Sequence, residues 1–367
     1  MNNLFIGPYR QNDGWGFAAS DYIKAIKTQV DNLAARPLFY VNNKANQIDE
    51  AVLDCENKVF NSYDRVFQLC LPHSLTIDKT IKKNIGMVML ETNNMSKSTS
   101  IHNMNGMDEI LVPSKQEAKC LKSSGVTTPI KVISQPLDIE FYKKNIEQKI
   151  KFNPMIDNSF KFYTVAEFIE RKNLFDLITA FNLAFSHTDN VSLIIKTNVD
   201  HNTLLEKINK FKQKLNIRKQ HKQEIIIPDR LSKTDMVGLH NSCDCFVMPS
   251  LGESFCRPAA EALILGKTPI VTDNTGMVDF VDNKNGYVVH SKKQPVIMDQ
   301  RTLSDNFDIY TANEYWYKPN VYHLIECMQD IYNMYKKDRK SYEAKRQIGL
   351  DSIEQFSYDN IGKNICS

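Results

Sequence analysis

Two glutamates at a Glu-x7-Glu spacing, Glu253 and Glu261, lie in the segment PSLGESFCRPAAEALILGKTPIVTDNTG, residues 249–276. An apolar strand ends at Pro249, a short loop carries Gly252, Glu253, Ser254 and Phe255, and Pro258 opens a helix. Proline in a first helical turn needs no amide partner and presets its backbone angle. The loop therefore aims backbone amides, and the positive end of a helix, at the space above a sheet edge, where an anion such as a diphosphate is favoured. Ala259, Ala260 and Ala262 keep that helix slim enough for close approach. Glu253 in the loop and Glu261 one turn into the helix both reach toward this crevice, and carboxylates there can accept hydrogen bonds from the vicinal hydroxyls of a hexose or a ribose.

The second chemical element is Glu170-Arg171-Lys172-Asn173, where a strand gives way to a helix. In open parallel sheets ligands bind at the C-terminal ends of the strands. Two adjacent cations at such an end can neutralise charge growing on a departing diphosphate. They oppose the dipole of the helix they precede, so helix stability does not explain them. A third element is the glycine loop Asn12-Asp13-Gly14-Trp15-Gly16-Phe17, between a first strand and a helix. His73 follows the run RVFQLC and Glu91 ends the run IGMVMLE, which places both at strand ends as acceptor-side candidates.

These residues are positioned by a regular alternation. LFIG (4–7), PLFY (37–40), RVFQLC (65–70), IGMVML (85–90), EILV (109–112) and IKVI (130–133) read as buried strands separated by helices. That order implies a parallel sheet wound on both faces. Ser114 with Glu117 forms a capping box. A polar, lysine-rich stretch at 141–159 reads as a linker, after which the alternation restarts at KFYTVAEF (161–168). Leu174, Leu177, Ile178, Phe181 and Phe185 then share one helical face. The lysine-rich helix at 201–222 reads as a solvated face, and 319–356 as two closing helices.

A chain of 367 residues exceeds what one core usually serves, so two domains are expected. Hydrophobic residues at 42% and charged residues at 24% fit a globular enzyme, and a net charge of +3 argues for neither nucleic acid nor membrane. No apolar stretch approaches the ~20 residues of a membrane span, and the start reads as a strand rather than a signal peptide. Eight scattered cysteines suit reduced core thiols in a cytoplasmic protein, and Cys243 with Cys245 lacks the second pair a zinc site needs.

The run ESFCRPAAEALILGKTPIV resembles the signature of retaining family-four glycosyltransferases of the GT-B fold, and Arg171-Lys172-Asn173 with its apolar helix is similar to their arginine-lysine element. DEILVPSKQEAKCLKSSGV, GYVV, and Trp316 and Pro319 with Leu324 extend the likeness along the chain. The resemblance implies two Rossmann-like α/β domains facing across a cleft: residues 1–145 on the acceptor side, 160–344 for the nucleotide sugar, and 345–367 returning to the first. It implies that Glu253 holds donor-sugar hydroxyls, Glu261 the ribose, and Arg171 and Lys172 the diphosphate. Ser254, Phe255 and Cys256, with Gly14 and Gly16, complete the donor side, and His73 and Glu91 meet the acceptor.

Two residues depart from that pattern. Cys256 stands where the family has glycine, and Glu167 where it commonly has a further arginine. The chemistry implied is transfer of a sugar with retention, the leaving diphosphate helping to deprotonate the acceptor hydroxyl. No cofactor and no metal are expected, since the chain has no Asp-x-Asp and the cation pair takes that role. The acceptor stays open among glycan, lipid-linked sugar, protein and modified nucleic-acid base, with peripheral membrane contact through the lysine-rich helices. Alternatives are a nucleotide-sugar epimerase, a phosphorylase or a non-catalytic nucleotide-sugar-binding module.

Overall fold

The computed structural model describes residues 1–40, 48–96, 98–215, 224–297 and 313–367. They form two compact units: the first holds Met1–Ile139, Asn313, Glu314 and Glu354–Ser367, and the second holds residues 140–297 and Tyr315–Ile353.

Unit 1 is built on six parallel strands in the order β2-β1-β3-β4-β5-β6: β1 Asn3–Gly7, β2 Leu33–Pro37, β3 Arg65–Leu69, β4 Lys83–Met87, β5 Glu109–Val112 and β6 Ile130–Val132. Helices cover both faces of such sheets, so their strands are apolar almost throughout; Phe5, Phe67, Leu69, Ile85, Met87 and Leu111 are all buried in one core. The strand expected at 37–40 lies earlier in the chain. Leu33, Ala34 and Ala35 supply its buried part, and it ends at Pro37, which has no ladder donor. Phe39 and Tyr40 are exposed.

Helix α1, Gly14–Lys27, follows β1, and α2 Glu50–Asn57, α3 Ser98–Asn105 and α4 Lys115–Ser123 follow later strands, while the chain's last helix, Tyr358–Cys366, packs against α1. A Cβ on Gly362 would stand 2.1 Å from the Ala25 carbonyl oxygen, so only glycine lets the two backbones approach this closely. Ile361 and Ile365 thereby join the Phe5 core. The capping box at Ser114 is half realised. Ser114 Oγ accepts from the Glu117 amide, but the Glu117 carboxylate turns away to accept from the Leu90 amide at 2.9 Å.

Unit 2 repeats the plan with six parallel strands ordered β12-β11-β10-β7-β8-β9. These are β7 Phe160–Val165, β8 Val191–Lys196, β9 Ile225–Ile227, β10 Cys245–Met248, β11 Thr268–Thr272 and β12 Tyr287–Val289. The short helices α5 Ile139–Lys144 and α6 Pro154–Asp157 precede β7, and between the strands run α7 Leu174–Ala184, α8 His201–Lys214, α9 Lys233–Ser242 and α10 Arg257–Ile264. A separate antiparallel pair, Ser291–Pro295 with Tyr315–Pro319, leads into the helices Val321–Lys337 and Arg339–Asp351.

The stretch read as a linker contains two short helices, Ile139–Lys144 and Pro154–Asp157, and is fastened between them where the Ile150 amide donates to Ser242 Oγ at 2.9 Å. Residues 216–222 of the expected lysine-rich helix lie outside the described residues. All eight cysteines are unpaired, and seven are buried. Among the described residues no helix is long and apolar enough to cross a membrane.

Candidate active site

In each sheet the strand order reverses once, and ligands of open α/β sheets bind at such reversals. In unit 2 the reversal falls between β7 and β10. The loop after β7 carries Arg171 and Lys172 in a short turn, and the loop after β10 carries Gly252 to Cys256. The two loops are stitched together: the Leu251 amide donates to the Arg171 carbonyl at 2.8 Å, and Ser250 Oγ donates to the same oxygen at 3.0 Å.

The side chains converge there. Lys172 Nζ lies 2.6 Å and an Arg171 guanidinium nitrogen 3.0 Å from Glu253 Oε1, and the same guanidinium donates to the Gly252 carbonyl at 2.8 Å. All three are largely sequestered, with side-chain exposures of 10% for Arg171, 16% for Lys172 and 5% for Glu253. Burial works to raise the Glu253 carboxyl, but the two cations beside it outweigh burial and hold it below the usual carboxylate range. Two cations thus converge on one carboxylate oxygen in a place poorly reached by water, where an anion placed beside them is strongly favoured.

The helix termini say the same. A side chain closes the first turn of α1, α8, α9 and the helices Lys115–Ser123, Val321–Lys337 and Tyr358–Cys366. No side chain does so at α7 or α10, the two helices that start at this reversal. Asn173 is a good capping residue by type, yet it sits in the left-handed region at φ 54° and its amide donates to Asp176 and to the Pro249 carbonyl. Cys256 precedes α10 at φ 69°, a conformation that costs a residue with a Cβ roughly 1–2 kcal/mol. Burial pushes its thiol up to about 12, so the side chain is a neutral thiol at physiological pH.

Glu261 is not in that cluster. It is gathered into a second one, in which Oε1 accepts from the Tyr142 hydroxyl at 2.7 Å and from Arg257 Nε at 3.0 Å, while Oε2 faces His240 Nε2 at 3.5 Å. His240 Nδ1 in turn meets the Tyr163 hydroxyl at 2.7 Å. Burial favours a protonated Glu261, but His240, Arg257 and Tyr142 prevail and bring its pKa down to about 2. Ser254 is buried, and the fully buried Phe255 ring packs on Phe280, which anchors the loop from below. Glu167 is exposed, with Asn198 Nδ2 at 3.4 Å.

Sequence reasoning missed Tyr142, His240 and Tyr163, which carry no spacing signature. It also missed Lys196, a buried lysine at the end of β8 whose ammonium donates to the Thr197 carbonyl at 2.9 Å. Its residue type at a strand end was the available signal. Among the described residues no group of three His, Cys, Asp or Glu side chains is assembled to hold a metal.

In unit 1 the reversal falls between β1 and β3. Gly14 and Gly16 open α1 after β1, and Asp13 caps that helix by accepting from the Gly16 amide at 2.9 Å. A Cβ on Gly16 would lie 1.9 Å from the Gln11 carbonyl oxygen, whereas one on Gly14 would meet nothing within 4 Å. His73 stands half-buried in the turn Pro72–Ser74 after β3, where its carbonyl accepts from Asn103. Glu91 is half-buried four residues past the end of β4.

Residues 145–300, all of whose described part lies in unit 2, match the family model described as Glycosyl transferases group 1. No curated protein matches the chain by sequence. Several solved structures share the fold. HepE from Anabaena, in complex with UDP-glucose, is 14% identical with a TM-score of 0.65, covering 100% of this chain and 98% of its own. The trehalose-6-phosphate synthase OtsA is 8% identical with a TM-score of 0.68 over the same shares. TarM from S. aureus, in complex with UDP, is 17% identical with a TM-score of 0.54; 82% of this chain is covered, and it spans 54% of TarM's length. These likenesses show the fold, which is the GT-B class of two Rossmann-like α/β units in one chain.

Proposed function

We propose that this chain is a glycosyltransferase that takes a sugar from a nucleoside-diphosphate donor bound at the unit 2 reversal. The observation that carries this reading is the convergence of the buried Arg171 and Lys172 on Glu253 beside two helix starts that no side chain closes. A diphosphate supplies the charge and the acceptor oxygens that both features call for. The group 1 match and the UDP-containing complexes of HepE and TarM support the same donor class.

In this reading Arg171 and Lys172 hold the diphosphate and stabilise it as it leaves. Glu253 faces the donor sugar, Glu261 the ribose, and Cys256 with Ser254 borders the sugar. The bond between the anomeric carbon and the phosphate oxygen breaks, and the electron pair leaves with the nucleoside diphosphate. The acceptor oxygen bonds to the same face of the sugar, and its proton passes to the departing phosphate. Retention of configuration follows, and no metal is needed because the cations already neutralise the leaving group. On unit 1, His73 and Glu91 are the polar candidates for recognising the acceptor.

A melting screen of UDP-, GDP-, ADP- and TDP-sugars tests the donor, because a ligand bound only by the native state raises the melting temperature. One series should stabilise the protein, and its sugar should be released or transferred in excess EDTA. Stabilisation by none of them, or activity abolished by EDTA and restored by manganese, would overturn the reading.

A further inference from the structure

We infer that Tyr142, His240 and Tyr163 are positioning residues that hold the Glu261 carboxylate for the ribose of the donor; the inference rests on the donor reading above. Glu261 is an expensive group to bury, and a fold needing only packing at this point would be served better by an apolar side chain. Instead three polar side chains converge on it from separate parts of unit 2, and a fourth backs one of them. Tyr142 comes from the stretch that precedes the first strand, His240 from α9, Tyr163 from β7 and Arg257 from the first turn of α10 itself.

The proton placement follows from the geometry. An ionised Oε2 opposite His240 Nε2 requires that nitrogen to carry its proton. His240 Nδ1 is in turn tied to the Tyr163 hydroxyl, 2.7 Å away, which fixes the other side of the ring. Tyr163 and His240 are fully buried, so the ring cannot reorient to suit another partner. Oε1 is fixed by Tyr142 and Arg257, whereas among the described residues Oε2 has only the 3.5 Å approach of His240 Nε2. The Glu261 side chain keeps 11% of its exposure, which leaves it open to a ligand donor. A carboxylate locked on one oxygen and open on the other is suited to receive a ribose hydroxyl at a fixed height above the sheet.

The test is calorimetric titration of the full chain with UDP and with 2′,3′-dideoxyuridine diphosphate, which lacks the hydroxyls in question. Glu261→Gln should weaken UDP and leave the dideoxy compound unaffected. Tyr142→Phe should do the same by about tenfold, one hydrogen bond to a charged group. His240→Met, which keeps volume but not the proton, should resemble it, and His240→Gln, whose amide nitrogen can replace Nε2, should restore UDP binding. If Tyr142→Phe and His240→Met weaken both ligands equally, or neither, the network is only structural and the inference fails while the donor reading stands. If UDP does not bind, or Glu261→Gln does not distinguish the two ligands, the ribose assignment itself fails and the inference with it.

Discussion

The two sheet reversals occupy equivalent places in units of the same plan, yet they are furnished differently. At the unit 2 reversal, three charged side chains are buried together and the adjoining helices start without a side-chain cap. At the unit 1 reversal, Asp13 already closes the start of α1, the surrounding side chains are half-buried, and Phe17, Phe39 and Tyr40 are exposed. A helix start that carries its own carboxylate has less to offer an anion than one that does not. The first arrangement suits a fixed, highly charged part of a ligand. The second suits a ligand whose recognition is spread over shape and apolar contact.

The sharpest way to break this contrast is Glu253→Gln. It removes the carboxylate that the neighbouring, largely buried cations Arg171 and Lys172 share. Removing one partner from a buried ionic cluster costs about 3–5 kcal/mol, so ligand-free stability in urea should fall by that order. UDP should recover more stability in this variant than in the parent, while sugar transfer drops. Unchanged ligand-free stability would mean that the cluster is not the tightly charged site described.

The corresponding break in unit 1 is steric. Gly16→Ala places a carbon against the Gln11 carbonyl and should cost about 3 kcal/mol, at the upper end for overpacking. Gly14→Ala, two residues away, meets no neighbour and should leave the melting temperature the same or slightly higher. Equal effects from the two would show that α1 does not start as described.

A smaller effect sharpens the contrast through pH. Glu261 titrates near 2 in the folded chain against an ordinary value of 4.5. Because the folded value is depressed, its contribution is fully present above pH 4.5 and is lost as pH falls toward 2. At about pH 3 the loss should be roughly 2 kcal/mol, and Glu261→Gln should remove that part of the acid dependence. Parallel acid curves for the two proteins would contradict the network around Glu261.

How far the sequence reveals the site follows from the kind of signal each residue leaves. Arg171, Lys172 and Glu253 were legible because charges at strand ends are unusual and their flanking residues are ordered like a known signature. The two Rossmann-like sheets were legible because buried parallel strands leave continuous apolar runs. β2 was misplaced by several residues because its buried part is Leu33, Ala34 and Ala35, and alanine carries little strand signal.

Tyr142 and His240 were illegible for another reason. Each is ordinary in its own segment, and they meet Glu261 only after the chain has folded across 119 and 21 residues of sequence separation, respectively. Cys256 was visible as a departure from glycine, but only the structure shows that it retains the left-handed backbone glycine would favour. Asn173 is a good capping residue by type, but in its left-handed conformation its side chain does not cap α7.

The central claim is that the unit 2 reversal holds a nucleoside diphosphate through Lys172 and Arg171. Isothermal titration of UDP into the parent protein, Lys172→Ala and His73→Ala tests it most directly. The account predicts that Lys172→Ala weakens UDP about ten- to a hundredfold, the loss of a charge-assisted contact, with His73→Ala unchanged. Lys172→Ala binding UDP as tightly as the parent, or His73→Ala losing it instead, would contradict the account.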